Sequence, residues 1–517
     1  MQAPFRSAKI YLATAVVLVL LHGGLILSSR LLPFTDLPNH LAAATIARHS
    51  GEEGNVLGEY FEVDLFPRPN VFHAAFCSLP IFRSVESANR AFYMLYLFLL
   101  PLSFLVLTRV LGGDPRYVPG CFLLAWSYGA SWGFAGFTFA IPAVLLSAAA
   151  SVRLARRAGA GHLAFSAFLL TALFFIHAQA LLLALVLHAA ALAFEKDASW
   201  RARTAGAAAA LPAVVLLASW WLFGRNWWLG RPLLPYLGEY YGAGWLESVP
   251  SRWKVVFIDN YHLFEGSAGV AAGTAVTLVI LAAAARPGRR APVPPRAPRN
   301  LSSGGKRTAA AFLAAAAAAC LFLPADIPGQ SIVYQRFPVF LLLFLLLYGS
   351  VASGAAPEGR TAGRWRPAVL AAACLVHFTL WAGYFAGFND ENREFRPGFL
   401  PPGGEGRILA GLIFDHAYRG RPLYIHFPGY YTVWKKGVAV TGIVGYRFGP
   451  VRRAVDLTVL PEYLEWVGSH DRYDGRYAGL DYLLVRGEPK ARATGALDGF
   501  RAASSAGEWR LLERAAE

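Results

Sequence analysis

The sequence predicts an all-α polytopic membrane bundle of about eleven transmembrane helices, followed by a small extracytoplasmic α/β domain. Three observations predict it. Hydrophobic residues make up 56% of the 517-residue chain, and the mean hydropathy is +0.41, more apolar residue than a soluble domain of this size needs. The apolar residues are grouped into runs long enough, or nearly long enough, to cross a bilayer. Lys and Arg fall mainly in short connections between those runs, the pattern that orients membrane proteins.

The runs begin near Ile10, Ala91, Val118, Phe134, Leu163, Ala178, Gly206, Val270, Ala309, Ile332 and Pro367. Val118–Ala130, Leu163–Ile176 and Ala309–Leu323 fall short of the ~20 residues a bilayer prefers. The first run, Ile10–Leu27, reads as a spanning helix. It is longer than a typical signal-peptide core, and no small-residue cleavage site follows it before Asp36.

The connections Arg109–Arg116, Arg153–Arg157, Lys196–Arg203, Arg286–Arg307 and Arg360–Arg366 are rich in Lys and Arg. If every run spans, all of them share a side with Arg6 and Lys9, and the positive-inside rule makes that side cytoplasmic. The net charge of +16 is therefore a mark of membrane orientation and not of a nucleic-acid groove. The expected place is the cytoplasmic (inner) membrane, with the N-terminus inside and the C-terminal domain outside.

Three polar pieces then face outward: Ser28–Arg90, Gly224–Gly266 and the tail from Asn389 to Glu517. The expected division is a transmembrane domain over 1–388, with external loops 28–90 and 224–266, and an α/β domain over 389–517. In the tail, Ile408–Ala417 has helical spacing, while Leu423–Phe427, Tyr482–Val485 and Trp509–Leu512 suit short strands. Arg286–Lys306, rich in Pro and Arg, reads as a flexible cytoplasmic linker. Cys77, Cys121, Cys320 and Cys374 include no CxxC pair, so neither a disulfide framework nor a zinc site is indicated. The sequence holds no Walker A, GxGxxG or HExxH motif and no internal repeat.

Thr35-Asp36-Leu37-Pro38-Asn39-His40-Leu41 emerges just beyond the first span. Asp36 before Leu37 and Pro38 suits a helix N-cap. A catalytic role is compatible with that cap. His40 lies four residues on, on the same helix face, and a carboxylate beside an imidazole can act as a general base.

Arg336, in Tyr334-Gln335-Arg336-Phe337-Pro338, lies one turn inside the outer end of the run Ile332–Val351. Intramembrane charge is costly and so points to function; snorkelling to the interface is the plain alternative. Its guanidinium fork suits phosphate, binding two oxygens at once. Asp326, in the turn Asp326–Gln330, either neutralises Arg336 or simply starts a turn.

His177 and Gln179 sit at an external hairpin tip, where they either line a cavity or meet water. Arg68, Asn70 and His73 occupy an external loop, and Arg68 either holds a phosphate or sugar hydroxyl or packs that loop. Trp227, Trp228, Trp245 and Trp253, with Tyr236, Tyr240, Tyr241 and Tyr261, either stack on sugar rings or form an interfacial aromatic belt. Asp259 and His262 lie in the same loop.

With these residues in place, the layout resembles the GT-C superfamily of integral membrane glycosyltransferases, which includes protein O-mannosyltransferases and aminoarabinose transferases of lipid A. The resemblance covers the whole chain in architecture and Asp36 with its neighbours in motif. Asp-Leu-Pro-Asn-His-Leu is similar to the Asp-containing stretch of bacterial members. The better-known enzymes often place two acidic residues together, whereas Asp36 is followed by Leu37.

The resemblance implies sugar transfer from a polyprenyl-phosphate donor to a glycan, lipid or protein acceptor at the outer face. Asp36 would be the base, and His40 would support it. Arg336, with Tyr334 and Gln335, would hold the lipid-linked phosphate, and Arg68, Asn70 and His177 are further substrate-binding candidates. No metal or other cofactor and no nucleic acid is expected; membrane lipid is. A lipid or glycan transporter and a non-catalytic envelope assembly protein are the alternative classes, though a transporter more often shows paired repeats.

The topology makes a direct prediction. Single cysteines replacing Ser303 and Ser504 should be labelled from the cytoplasmic and outer faces, respectively, by a membrane-impermeant thiol reagent. Labelling of position 303 but not 504 from outside would overturn the orientation.

Overall fold

The computed structural model describes residues 3–515 except 197, 224–232, 243–244, 262–265, 286–299, 328–329, 355–364, 404–406, 441–448, 457–458, 460–478, 489–496 and 498. It divides into two compact units. One holds residues 1–25, 93–130 and 136–382, and the other 26–92, 131–135 and 383–517. Residues 26–92 thus cluster with the C-terminal tail.

Among the described residues, eight helices are long and apolar enough to cross a membrane. They are Lys9–Ser28, Val85–Val110, Ala135–Arg156, Trp200–Leu222, Ser267–Ala284, Gly304–Phe322, Tyr334–Ser353 and Trp365–Glu391. Ala160–Ile176 and Ala178–Phe194 are two shorter apolar helices. Together these account for ten of the runs read from the sequence.

The remaining run, near Val118, is not an α-helix. Pro115–Leu124 winds as a 3₁₀ helix, because Pro119 has no N–H to give to an α-helical ladder and its ring clashes with the turn before it. The segment nonetheless threads through the bundle. Asp114 N–H donates to the Ser350 carbonyl at 3.2 Å, Cys374 Sγ reaches the Pro119 carbonyl at 3.0 Å, and Trp126 packs on Trp381. Its partners therefore advance along the helix Trp365–Glu391. Such irregular backbone is tolerated at membrane depth only where protein surrounds it, and Tyr117–Leu124 are all buried.

Close helix contacts in this unit use small residues, as bilayer packing requires. A Cβ on Gly349 would come within 2.7 Å of Ala284 Cα. At the ends carrying the basic connections, Arg156 pairs with Glu195 at 2.8 Å, and Thr308 donates to the same carboxylate at 2.7 Å. Arg366 reaches the Ala285 carbonyl at 2.5 Å, at the C-terminal end of Gly266–Ala284, where a cation complements the helix dipole.

The second unit is built on strands β1 (Phe61–Val63), β2 (Ile408–Ile413), β3 (Val438–Ala439), β4 (Val451–Arg453), β5 (Tyr482–Arg486), β6 (Phe500–Ala506) and β7 (Trp509–Arg514). Five of them form a sheet in the order β3-β2-β5-β7-β6, with β2 parallel to β3 and β5 and the rest antiparallel. β1 pairs with β4 in a separate two-stranded ribbon. Ala43 and Ile46 of the helix Leu37–His49, with Leu57 and Phe61, share a core with Ile408, Leu412, Leu483 and Val485. Burial of that core fixes the helix that begins at Asp36.

The strands expected at Tyr482–Val485 and Trp509–Leu512 are β5 and β7. Ile408–Ala417 is not helical: Ile408–Ile413 is the strand β2, buried at every position. A short run buried on both faces reads the same as a helix segment until its neighbours are known. Leu423–Phe427 is not a strand but a buried turn leading into the helix Gly429–Lys435, because Pro428 and Gly429 stop an extended pairing. Of the expected linker Arg286–Lys306, residues 286–299 lie outside the described residues, and the rest begins the helix Asn300–Phe322.

Arginines tie the second unit together. Arg90 donates to the Ser29 carbonyl at 3.1 Å, and Arg30 reaches the carbonyls of Asn392 and Phe395. Arg486, 2% exposed at its side chain, meets Glu391 at 2.6 Å and lies 3.7 Å above the Tyr424 ring. All four cysteines are free and buried.

Candidate active site

Asp36 sits at the N-cap of the helix Leu37–His49, with Pro38 in its first turn, as the sequence predicts. Its side chain, however, makes no capping bond. Oδ1 instead lies 3.3 Å from His426 Nε2. The Asp36 side chain is 21% exposed and that of His426 is 9% exposed, so the carboxylate is reachable while its partner is largely enclosed.

The backbone around Asp36 is fixed from two other parts of the chain. Asp36 N–H donates to the Trp132 carbonyl at 2.9 Å. Gly133 adopts φ +83°, and a Cβ there would fall 2.9 Å from the amide nitrogens of both Asp36 and Leu37. On the other side, a Cβ on Gly429 would meet the Pro38 carbonyl oxygen at 2.8 Å. Three segments distant in sequence thus converge on the first turn of one helix. Asn39, in that turn, is fully buried, and neither atom of its amide group has a hydrogen-bond partner among the described residues. An unmet buried polar atom costs about 1–3 kcal/mol, so the position suits a water or a substrate group.

His40 does share the helix with Asp36, and its N–H closes the first turn on the Asp36 carbonyl at 3.1 Å. Its ring packs edge-on against His73, 5.5 Å between centroids. His73 bonds Asn89 at 2.9 Å and lies 3.5 Å from Cys77 Sγ. Burial, helped by the neighbouring His40, pulls the His73 pKa down to about 3, so it stays neutral across the physiological range. Among the described residues, no three His, Cys, Asp or Glu side chains are placed to hold a metal ion.

Arg68 pairs with Asp64 at 2.6 Å, which accounts for it as a loop-packing residue. Asn70 takes the left-handed backbone at φ 63°, a conformation that Asn tolerates better than most residues.

In the bundle unit, Arg336 and His177 meet. Arg336 lies in a single 3₁₀ turn, Tyr334–Arg336, ahead of the helix Pro338–Gly354. Its Nε donates to the Ile332 carbonyl at 2.7 Å and its Nη2 to that of Ser331 at 3.2 Å. Nη1 points at His177 Nε2, 3.4 Å away. His177 breaks the chain between two helices with extended φ −166°. It does not simply meet water as a hairpin tip would: it is 6% exposed, with its ring edge-on to Phe137.

Nearby, Gln179 bonds Gln330 at 3.1 Å. Gln335 Oε1 is buried without a partner among the described residues. Asp326 opens a turn closed by mutual Ile327–Gln330 bonds.

One of the loop tyrosines, Tyr240, meets a buried cation. Arg252, 1% exposed, reaches the Leu323 carbonyl at 2.7 Å and the Tyr240 hydroxyl, and it stands 4.3 Å over the Tyr334 ring. Tyr334 is thereby a packing partner of Arg252. Trp245 stacks on Phe322. Trp227, Trp228 and His262 lie outside the described residues.

The sequence reading missed His426. Its signal was a single polar residue inside the apolar run Leu423–Phe427, hidden because that run was read as a strand.

The chain is similar in overall course to ArnT from Cupriavidus metallidurans, solved as a crystal structure bound to undecaprenyl phosphate. The alignment covers 98% of each chain at 13% identity, with a TM-score of 0.45. No protein-family model matches the sequence, and no curated protein matches it.

The Gly133 contact yields a prediction. Gly133→Ala meets both an unfavourable φ and two amide nitrogens, and a left-handed non-glycine residue costs about 1–2 kcal/mol. The variant should unfold at a lower temperature than the parent in detergent. An unchanged unfolding midpoint would show that the turn around Asp36 is not so constrained.

Proposed function

We propose that the protein is a membrane glycosyltransferase. It moves a sugar from a polyprenyl-phosphate donor to an acceptor at the outer face of the cytoplasmic membrane, with Asp36 as general base. The observation that carries this reading is the Asp36 carboxylate. It occupies a capping position, makes no capping bond, remains reachable, and is paired with a histidine. A carboxylate with only a structural role at that position would accept from the helix N–H groups.

In the proposed step, Asp36 takes the proton of the acceptor hydroxyl or amine as that atom attacks the anomeric carbon. The bond from the anomeric carbon to the phosphate oxygen breaks, and the polyprenyl phosphate leaves with its electron pair. Arg336, in the bundle unit, is a separate candidate for holding a phosphate group. Its guanidinium is almost fully buried, and a preorganised cation stabilises charge that develops on a leaving oxygen. His177, which touches Arg336, supports its orientation. The identity of the sugar and of the acceptor is a matter for glycan analysis of cells with and without the protein.

Arg336→Lys keeps the positive charge but loses the fork that binds two oxygens. It should insert normally and slow transfer, and Arg336→Ala should slow it further. Parental transfer by Arg336→Ala would remove this residue from the mechanism.

Asp36→Asn separates cap from base. Asn caps about as well as Asp but cannot take a proton, and loss of a general base costs ~10²–10⁴-fold in rate. The expected result is normal membrane level and thermal stability with transfer reduced by that order, and the same for Asp36→Ser. The measurement is the initial rate at which the protein-dependent glycan appears after induction in a deletion strain. A parental rate for Asp36→Asn would leave Asp36 without a catalytic role.

A further inference from the structure

We propose that His426 is a positioning residue for Asp36, delivered by the C-terminal segment. The inference rests on the reading of Asp36 as the base. His426 Nε2 lies 3.3 Å from Asp36 Oδ1. An ionised carboxylate only accepts hydrogen bonds, so in this proposal the imidazole is the donor, carrying its hydrogen on Nε2 and turning it to Oδ1 across that contact. That contact occupies Oδ1 and leaves Oδ2 for the acceptor's proton. The imidazole thereby fixes the rotation of the carboxylate about its Cβ–Cγ bond.

The surroundings make His426 a rigid donor. It sits in a turn closed by Phe427 N–H on the Tyr424 carbonyl at 3.1 Å and by Gly429 N–H on its own carbonyl at 3.0 Å. Tyr424 is itself held, with its hydroxyl 2.5 Å from Glu391 and its ring under Arg486. Immediately after the turn, Gly429 lets its backbone lie against Pro38, where a Cβ would stand 2.8 Å from the carbonyl oxygen. The segment therefore docks on the same helical turn that carries Asp36, and the docking brings His426 to the carboxylate. Exposed ion pairs contribute little, but this imidazole is enclosed, and its role is orientation of a reacting group.

The test compares His426→Leu, which fills similar space without a donor, with His426→Gln, whose side-chain amide can still donate. Both are expressed in full-length protein in the deletion strain, beside the parent and Asp36→Asn. The readouts are membrane level, thermal unfolding and the initial rate of glycan appearance.

A misplacement of a reacting group by about 1 Å can cost ~10²-fold in rate. His426→Leu should therefore fall by about that factor with an unchanged unfolding midpoint. His426→Gln should recover at least about tenfold of the loss, which a purely structural role would not predict. A parental rate for His426→Leu while Asp36→Asn is inactive overturns His426 as positioning residue and leaves Asp36 as base. Loss in both His426 variants together with a lowered unfolding midpoint assigns His426 to folding and overturns the proposal. Full activity of Asp36→Asn, or no glycan change on deletion, overturns the underlying reading instead.

Discussion

The close approach of three backbones at the first turn of Leu37–His49 is the constraint on which the candidate site depends. Gly133 and Gly429 stand where any side chain would strike the main chain of residues 36–38. Because both are glycine, the Trp132 carbonyl can reach the Asp36 amide, and the turn carrying His426 can reach the Asp36 carboxylate. Backbone contact of this kind is stiffer than side-chain packing, since it leaves no rotamer to relax. A reacting carboxylate gains from such stiffness, because preorganisation lowers the cost of reaching a productive geometry.

The same turn sets the capping position of Asp36 apart from what its carboxylate touches. The position is set by helix geometry, with Pro38 in the first turn and the helix buried through Ala43 and Ile46. The carboxylate makes no capping bond and lies instead 3.3 Å from His426 Nε2. Elsewhere in this unit, cations serve structure. Arg90, Arg30 and Arg486 satisfy carbonyls, a carboxylate and an aromatic face, which secures the segments from which Asp36 and His426 project. In the bundle unit, Arg252 does the same, reaching the Leu323 carbonyl and standing over the Tyr334 ring. Arg336 differs in meeting a histidine as well as carbonyls.

Much of the fold was legible because the bilayer imposes length and composition directly. Every backbone polar group must be satisfied within the segment, so an apolar run of sufficient length is a helix almost irrespective of detail. Ten of the runs obey this. The Val118 run does not: Pro115–Leu124 is a 3₁₀ helix with Pro119 inside it, buried among surrounding helices. In the tail, length no longer decides. Ile408–Ile413 has an apolar pattern that fits helix and buried strand alike, and only its position between β3 and β5 makes it a strand.

The sequence by itself determined the membrane class, the emergence of Asp36 beyond the first span, its helix-start position and the placement of Arg336 at the edge of an apolar run. These follow from local chemistry: hydropathy, proline and capping preference, and the cost of intramembrane charge. Only the tertiary structure decided what each of those side chains touches. Asp36 and His426 are 390 positions apart, and Arg336 and His177 are 159 apart. No periodicity links residues at such separations, because their meeting is set by how whole elements pack. The partner of a carboxylate is therefore a property of the fold, while the place of the carboxylate is a property of the chain.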